Sequence, residues 1–153
     1  NNNRQLLGKY LYWVKEVNDL ASATEYIRKR LDSELPYSKW YYIEQEQQLL
    51  GIFGIKSVSD SGIAEIGYWL SKDAQGKGIT NKIINKLPDM LTSTPAKMIE
   101  FCCLRENIAS RAVAEKAGAD LVKIIPDYLT IDDMIQDLLV FHVPVAALSE
   151  SGK

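Results

Sequence analysis

The chain has 153 residues, 46% hydrophobic and 25% charged, which is globular composition and the length of one ordinary domain. Its 18 Lys and Arg against 20 Asp and Glu leave a formal net charge of −2, which argues against a dedicated nucleic-acid binder, whose affinity rests on neutralising phosphates. No apolar run approaches the ~20 residues that span a bilayer, and no signal peptide opens the chain. The two cysteines, Cys102 and Cys103, are adjacent and poorly placed to bridge each other, as suits a reducing cytoplasm.

Taken in chain order, residues 4–14 (RQLLGKYLYWV) read as a short helix leading into a loop. Asn18 or Asp19 then caps a helix to about Leu31, with Leu20, Ala23, Ile27 and Leu31 on one face. Trp40–Ile43 reads as a strand and Leu49–Val58 as its hairpin partner across the polar turn Gln45–Gln48. Ser59–Gly62 is a second turn and Ile63–Leu70 a third strand. Ile79–Leu91 is helical with a buried stripe of Ile79, Ile83, Ile84, Leu87 and Leu91, and Pro88 kinks it or ends it early. Lys97–Leu104 is a strand and Ile108–Ala117 a helix stopped by Gly118. Two last strands fall near Asp120–Ile125 and Ile135–Val145. No repeat, linker or composition break divides the chain, so the expectation is a single domain over residues 1–153, mixed α/β in character.

The segment Tyr68–Thr80 (YWLSKDAQGKGIT) carries the strongest local signal. A strand ends, a glycine-punctuated turn follows, and a helix starts at once. Glycines let the backbone turn tightly beside a ligand, and the first helical turn leaves N–H groups free for a phosphate or pyrophosphate. The phosphate loop of nucleoside triphosphatases is absent, since no Lys-Ser/Thr pair ends the turn. A dinucleotide fingerprint would need glycine where Asn81 stands. An ordinary glycine turn before a helix is the plainer alternative.

Two stretches together decide between these. Ala64–Leu70 (AEIGYWL) followed by Gln75–Ile79 (QGKGI) resembles the acetyl-CoA-binding core of the GNAT acetyltransferases, whose pattern is Q/R-x-x-G-x-G/A on a strand, loop and helix. Gln75 and Gly78 match, and Thr80 replaces the small residue. Asn107–Ala119 (NIASRAVAEKAGA) looks like the N-x-x-S-x-x-V-A-E-K-x-G-F segment of the RimJ/RimL-like branch, which includes microcin C-type self-immunity enzymes. Ala119 stands in place of its Phe. The resemblance runs from Arg4 to Val145. It implies the GNAT acyl-CoA N-acyltransferase fold, a mixed, mostly antiparallel sheet flanked by helices. The branch opens with a further strand and helix that this chain lacks, so the expectation is an N-terminally incomplete domain, with fusion to another domain open.

The same resemblance implies roles. Acetyl-CoA (coenzyme A) would lie in a V-shaped split between two parallel strands, with an amine attacking the thioester directly. Ile66, Tyr68 and Leu70 would offer backbone hydrogen bonds to the pantetheine arm, and the amides of Gln75, Gly76, Lys77, Gly78, Ile79 and Thr80 would hold the pyrophosphate. The Lys77 side chain could add a charge or point to solvent. Asn107 matches a pantetheine contact. Ser110 matches the proton donor to the leaving thiolate, against an ordinary cap or helix-surface serine. The branch carries a carboxylate beside an aromatic residue past this helix. Asp127 in Pro126-Asp127-Tyr128 offers one, unless it is merely a turn residue. Glu65 is a second carboxylate, on a strand position that sets it further from the acceptor. Trp13 lies where the family binds its acceptor, and could stack on a flat substrate group or sit in the core.

Chemistry narrows the acceptor. An α-amine of pKa near 8 is activated at a cost of ~1 kcal/mol near neutral pH, whereas a lysine amine of pKa ~10.4 costs over ~4 kcal/mol. An ordinary carboxylate suits the first task. The lone His142 and the adjacent cysteines complete neither a metal site nor a cysteine nucleophile pattern. The expected activity is therefore N-acetylation of an α-amine on a peptide or small molecule, with no nucleic-acid or membrane partner. The acceptor would be a protein N-terminus, or an aminoacyl or aminoacyl-nucleotide compound of the kind met in antibiotic self-resistance. The competing reading is a non-catalytic CoA-binding or partner-binding module on the same fold.

Overall fold

A computed structural model describes residues 3–150. Strands β1 (Lys39–Gln45) and β2 (Gln48–Val58) form a hairpin. Its two-residue turn places Glu46 and Gln47 at φ 50° and 63°, the left-handed geometry that matches strand twist. Strand β3 (Ile63–Leu70) returns antiparallel to β2. Helices α3 (Ile79–Ile84) and α4 (Leu87–Met90) then cross to β4 (Met98–Leu104), which runs parallel to β3; a parallel neighbour requires such a crossover. Helix α5 (Ile108–Lys116) leads to the hairpin β5 (Asp120–Ile131) and β6 (Met134–Pro144), and α6 (Val145–Glu150) follows. Among the described residues the six strands lie in the order β1-β2-β3-β4-β6-β5, with β3/β4 the one parallel pair. No helix among the described residues is long and apolar enough to cross a membrane.

One face of the sheet carries the core. Phe53, Ile55, Ile66, Ile99, Phe101, Phe141 and Val143 pack there against Ile84 of α3, Leu87 of α4, Ala114 of α5 and Leu148 of α6. Each fully buried aliphatic or aromatic side chain contributes about 1.5–3 kcal/mol. The expected long helix is in fact two. Pro88 falls in the first turn of α4, where its missing N–H leaves no bond unmade, and the helix breaks ahead of it at Asn85–Lys86. The stripe still serves the core through Ile84, Leu87 and Leu91, while Ile79 and Ile83 are half-buried.

The N-terminal segment follows the sequence reading in its short first helix and departs from it at α2. Helix α1 covers only Arg4–Leu7, and a 3-10 turn covers Tyr12–Lys15. Helix α2 (Leu20–Leu31) starts at Asp19 as expected, with a capping box: Asp19 Oδ1 accepts from the Ser22 N–H at 2.8 Å. Its apolar stripe, however, faces outward, with Leu20 84%, Ile27 49% and Leu31 70% exposed. The other side turns inward because Tyr26 and Arg30, one turn apart, stack between Trp13 and Trp40. Two large planar groups bury more surface there than a Leu/Ile stripe with nothing opposite it.

The last hairpin is longer than expected, and Pro126 does not end β5. Pairing jumps from Ile125↔Leu138 to Leu129↔Gln136, so Pro126, Asp127 and Tyr128 form a bulge on the sheet's edge strand, a setting in which a strand tolerates proline.

Candidate active site

The β3/β4 ladder stops at Ile66 and Phe101, yet the strands run on to Leu70 and Leu104. Beyond that point the parallel strands part, and the backbone of β3 from Gly67 onward is left unpaired toward β4. Two clefts open at the split. They meet along Tyr10, Leu11, Tyr68, Trp69, Asn107 and Ser110, which line both.

The first cleft has a volume of about 420 Å³ and is walled by the N-terminal segment, the end of β3 with its glycine turn, and α5. Gly76 and Gly78 sit at φ 72° and 71°, a conformation that costs any L side chain about 1–2 kcal/mol. A Cβ on either would meet nothing within 4 Å, so the glycines are required by conformation and by the open front they leave. Gly78 is the N-cap of α3, and the amides of its first turn have no intrahelical acceptor. Gln75 Nε2 donates back to the Leu70 carbonyl at 3.3 Å, tying the turn to the strand end. Thr80 is buried beneath the loop. Tyr68, Leu70, Gln75, Gly76, Gly78, Ile79, Thr80 and Asn107 all line this cleft. Lys77 is exposed and outside it, and Ile66 lies in the core and under the second cleft. A curved wall of free amides and small residues fits the phosphate and pantetheine portions of coenzyme A.

At the junction Asn107 caps α5, its Oδ1 accepting from the Ser110 N–H at 3.2 Å. That bond sets the Ser110 hydroxyl beside the Tyr68 phenol. Burial pushes the Tyr68 pKa up to about 12, with the Ser110 hydrogen bond opposing. The phenol is therefore a neutral donor near neutral pH. The Tyr68 ring lies parallel to Phe53, centroids 6.4 Å apart. The sequence points only to the backbone of Tyr68; its side chain beside Ser110 emerges from the packing of β3 against α5.

The second cleft, of about 320 Å³, is built from side chains. The Trp13 ring lies 4.4 Å from that of Tyr26, tilted by 34°, and 6.4 Å from that of Trp69. Arg30 lies between Tyr26 and Trp40. Gly54 makes room for this wall, since a Cβ there would stand 2.3 Å from the Trp40 ring. On the floor Lys56 pairs with Glu65. Behind them, in register across β4 and β6, Glu100 bonds His142 at 2.8 Å. Burial pushes the Cys102 and Cys103 thiols up to about 12 and 11, so both remain protonated and poorly nucleophilic near neutral pH.

Asp127 is not part of either lining, although its neighbours Tyr128 and Leu129 line the second cleft. It sits in the β5 bulge at φ 51°, its N–H donating to Asp137 Oδ1 at 3.2 Å. Asp137 is in turn held by Arg105 through Nε and Nη2 at 3.0 and 2.9 Å. The hydrogen bond from Arg105 keeps the Asp137 pKa below the usual carboxylate range. Glu65, by contrast, lies in the second cleft.

Comparison with known proteins agrees with this geometry. The acetyltransferase (GNAT) domain family matches residues 1–120. The chain is 28% identical over 147 residues to the putative ribosomal N-acetyltransferase YdaF of Bacillus subtilis, covering 92% of this chain and 79% of that protein. The fold is shared with the microcin C7 self-immunity acetyltransferase MccE in complex with acetyl-CoA and AMP, at TM-score 0.82 and 23% identity, over 93% of this chain and 81% of that one. It is shared also with the ribosomal L7/L12 α-N-protein acetyltransferase RimL in complex with coenzyme A, at TM-score 0.85 and 20% identity, over 95% and 84%. With most of its length matched by the family, a β3/β4 split and a glycine-turned loop beside it, the chain belongs to the GNAT acetyltransferases.

Proposed function

We propose that the protein transfers acetyl from acetyl-CoA to an α-amino group, the donor held in the first cleft and the acceptor in the second. The observation that carries this reading is the meeting of the clefts at Ser110 and Tyr68, where a thioester and an amine can approach from opposite sides. Acetyl-CoA supplies the activated acyl group and a thiolate leaving group. The amides of Gly76 to Thr80 hold its phosphates, and the unpaired edge of β3 orients its arm. Asn107 fixes the first turn of α5, so that Ser110 Oγ faces the split and hands a proton to the departing sulfur. The Tyr68 phenol hydrogen-bonds that hydroxyl and keeps it oriented. Glu65, directly or through a water, takes the proton that the amine loses, and Lys56 pairs with it. Asp127 is the alternative carboxylate. The base has modest work, because an α-amine needs only ~1 kcal/mol to lose its proton near neutral pH.

The acceptor is a protein N-terminus or an aminoacyl compound, as the similarity to a ribosomal-protein-serine acetyltransferase and to the microcin C7 self-immunity acetyltransferase suggests. The aromatic wall of Trp13, Tyr26 and Trp40 favours a small acceptor with a planar group. The test is thiol release from acetyl-CoA with peptides starting in Ser, Ala, Met or Asp, free amino acids, and a stable aminoacyl-sulfamoyl adenosine. Turnover on an α-amine and none on lysine side chains is expected. Coenzyme A binding with no turnover on any amine would overturn the reading in favour of a binding module.

A further inference from the structure

The second cleft contains one charge that the acetyl-transfer chemistry leaves unused. Of the charged residues lining it, Lys56 and Glu65 neutralise each other, and Arg30 is the third. The Arg30 Cζ lies 3.3 Å from the Tyr26 ring centroid and 5.2 Å from that of Trp40. Nη1 donates to the Tyr26 carbonyl at 3.1 Å, and Nε is enclosed without a partner. Among the described residues no carboxylate stands within ion-pair distance of it, whereas Arg28, Arg105 and Arg111 each have one. Its electrostatic neighbours are the phenols of Tyr26 and Tyr12. Burial pushes the Tyr26 pKa up to about 12, so that phenol stays neutral. Burial also draws the Arg30 pKa down from its ordinary value, as expected of a cation stripped of water with no acid beside it. A guanidinium fixed flat by aromatic rings is pre-organised for a planar or tetrahedral oxyanion at little entropic cost.

We infer that Arg30 seats an oxyanion of the acceptor, a carboxylate or phosphoryl group, so that the enzyme selects α-amines carrying a negative charge and rejects polyamines. The inference rests on the second cleft being the acceptor's. A polycation would meet an uncompensated like charge in a half-buried wall. An oxyanion would complete the only ion pair the cleft leaves open.

Matched acceptors test it. One pair is seryl-sulfamoyl adenosine, ionised at its sulfamate, against a neutral amide-linked seryl adenosine. The other is the Ser-Asp dipeptide amide against Ser-Asn. kcat/KM is measured for wild type, Arg30→Gln and Arg30→Lys, with melting temperatures to confirm folding. Equilibrium binding of each acceptor to the CoA-loaded protein is measured in parallel. The expected result is a preference of about tenfold or more for the charged member of one pair, the scale of one charge-assisted hydrogen bond. The preference should reside in KM, fall to near unity in Arg30→Gln and be partly kept in Arg30→Lys. Preference in the nucleotide pair assigns a phosphoryl-like group, and preference in the dipeptide pair a carboxylate. Turnover without charge preference, or a preference that survives Arg30→Gln, overturns the inference and leaves the acetyl-transfer reading standing. Arg30-dependent binding of the charged member with no turnover supports the anion seat and overturns acetyl transfer instead. Equal binding of both members with no turnover overturns both.

Discussion

The donor cleft takes the largest single share of its lining from one continuous stretch, Tyr68 to Thr80, whereas the acceptor cleft gathers side chains from the 3-10 turn, α2 and strands β1 to β6. A site made of turns and free amides requires glycine at fixed positions, and those positions leave a contiguous trace in the sequence. A site made of side chains from distant segments leaves none, because each contributing residue is ordinary in its local context. The first kind of site is constrained by its backbone geometry. The second is free to change acceptor with a few substitutions on a constant scaffold.

The comparison is sharpest at the junction, where one change should separate chemistry from binding. Ser110→Ala is expected to lower kcat by about 10²-fold or more, the usual range for a lost general acid. Coenzyme A affinity, followed by titration calorimetry, should hold, since the Asn107 cap bonds the Ser110 backbone and not its hydroxyl. An equal loss of affinity would make Ser110 a donor-binding group. On the acceptor side, Glu65→Gln should lower kcat about tenfold on an α-amine, the scale of the ~1 kcal/mol that activation requires. Asp127→Asn should leave kcat within about twofold, because that carboxylate stands outside both clefts. The reverse ranking in steady-state kinetics would transfer the base to Asp127.

The donor side breaks differently. Gly78→Val forces a β-branched residue to φ 71°, at a cost of about 1–2 kcal/mol, and shifts the amides that face the cleft. Acetyl-CoA affinity should fall about tenfold, with little change in the ranking of acceptors. The smallest effect is expected on α2. Ile27→Ser, on the exposed stripe, should change stability by less than about 0.5 kcal/mol in urea melts. Tyr26→Ala removes the ring stacked by Trp13 and Arg30 and should cost more than about 1 kcal/mol.

How much the sequence discloses follows the same division. The glycine turn, the Asp19 cap and the core stripe of Ile84, Leu87 and Leu91 are legible because they are local: period, cap and turn chemistry. The parallel pairing of β3 and β4, between strands about 35 residues apart, is implied only by the family resemblance. The face of α2 is not, since Leu20, Ile27 and Leu31 form a sound amphipathic pattern whose partner surface is absent among the described residues, while Tyr26 and Arg30 find Trp13 and Trp40. The Tyr68 phenol beside Ser110 and the unpaired Arg30 depend on contacts between residues 42 and 10 positions apart in the chain, beyond any local pattern. The Pro126 bulge is hidden for a related reason. Proline reads as the end of a strand until Asp137 and Arg105 are seen to hold the strand past it.

The central claim is that donor and acceptor enter from separate clefts that meet at Ser110 and Tyr68. A conjugate of coenzyme A joined through its sulfur to the α-nitrogen of a seryl acceptor tests it most directly, titrated against coenzyme A alone. Occupation of both clefts predicts binding roughly 10²-fold tighter for the conjugate, with the gain reduced by Trp13→Ala and not by Lys77→Ala. Equal affinity for the two ligands, or a gain indifferent to Trp13, would contradict the two-cleft account.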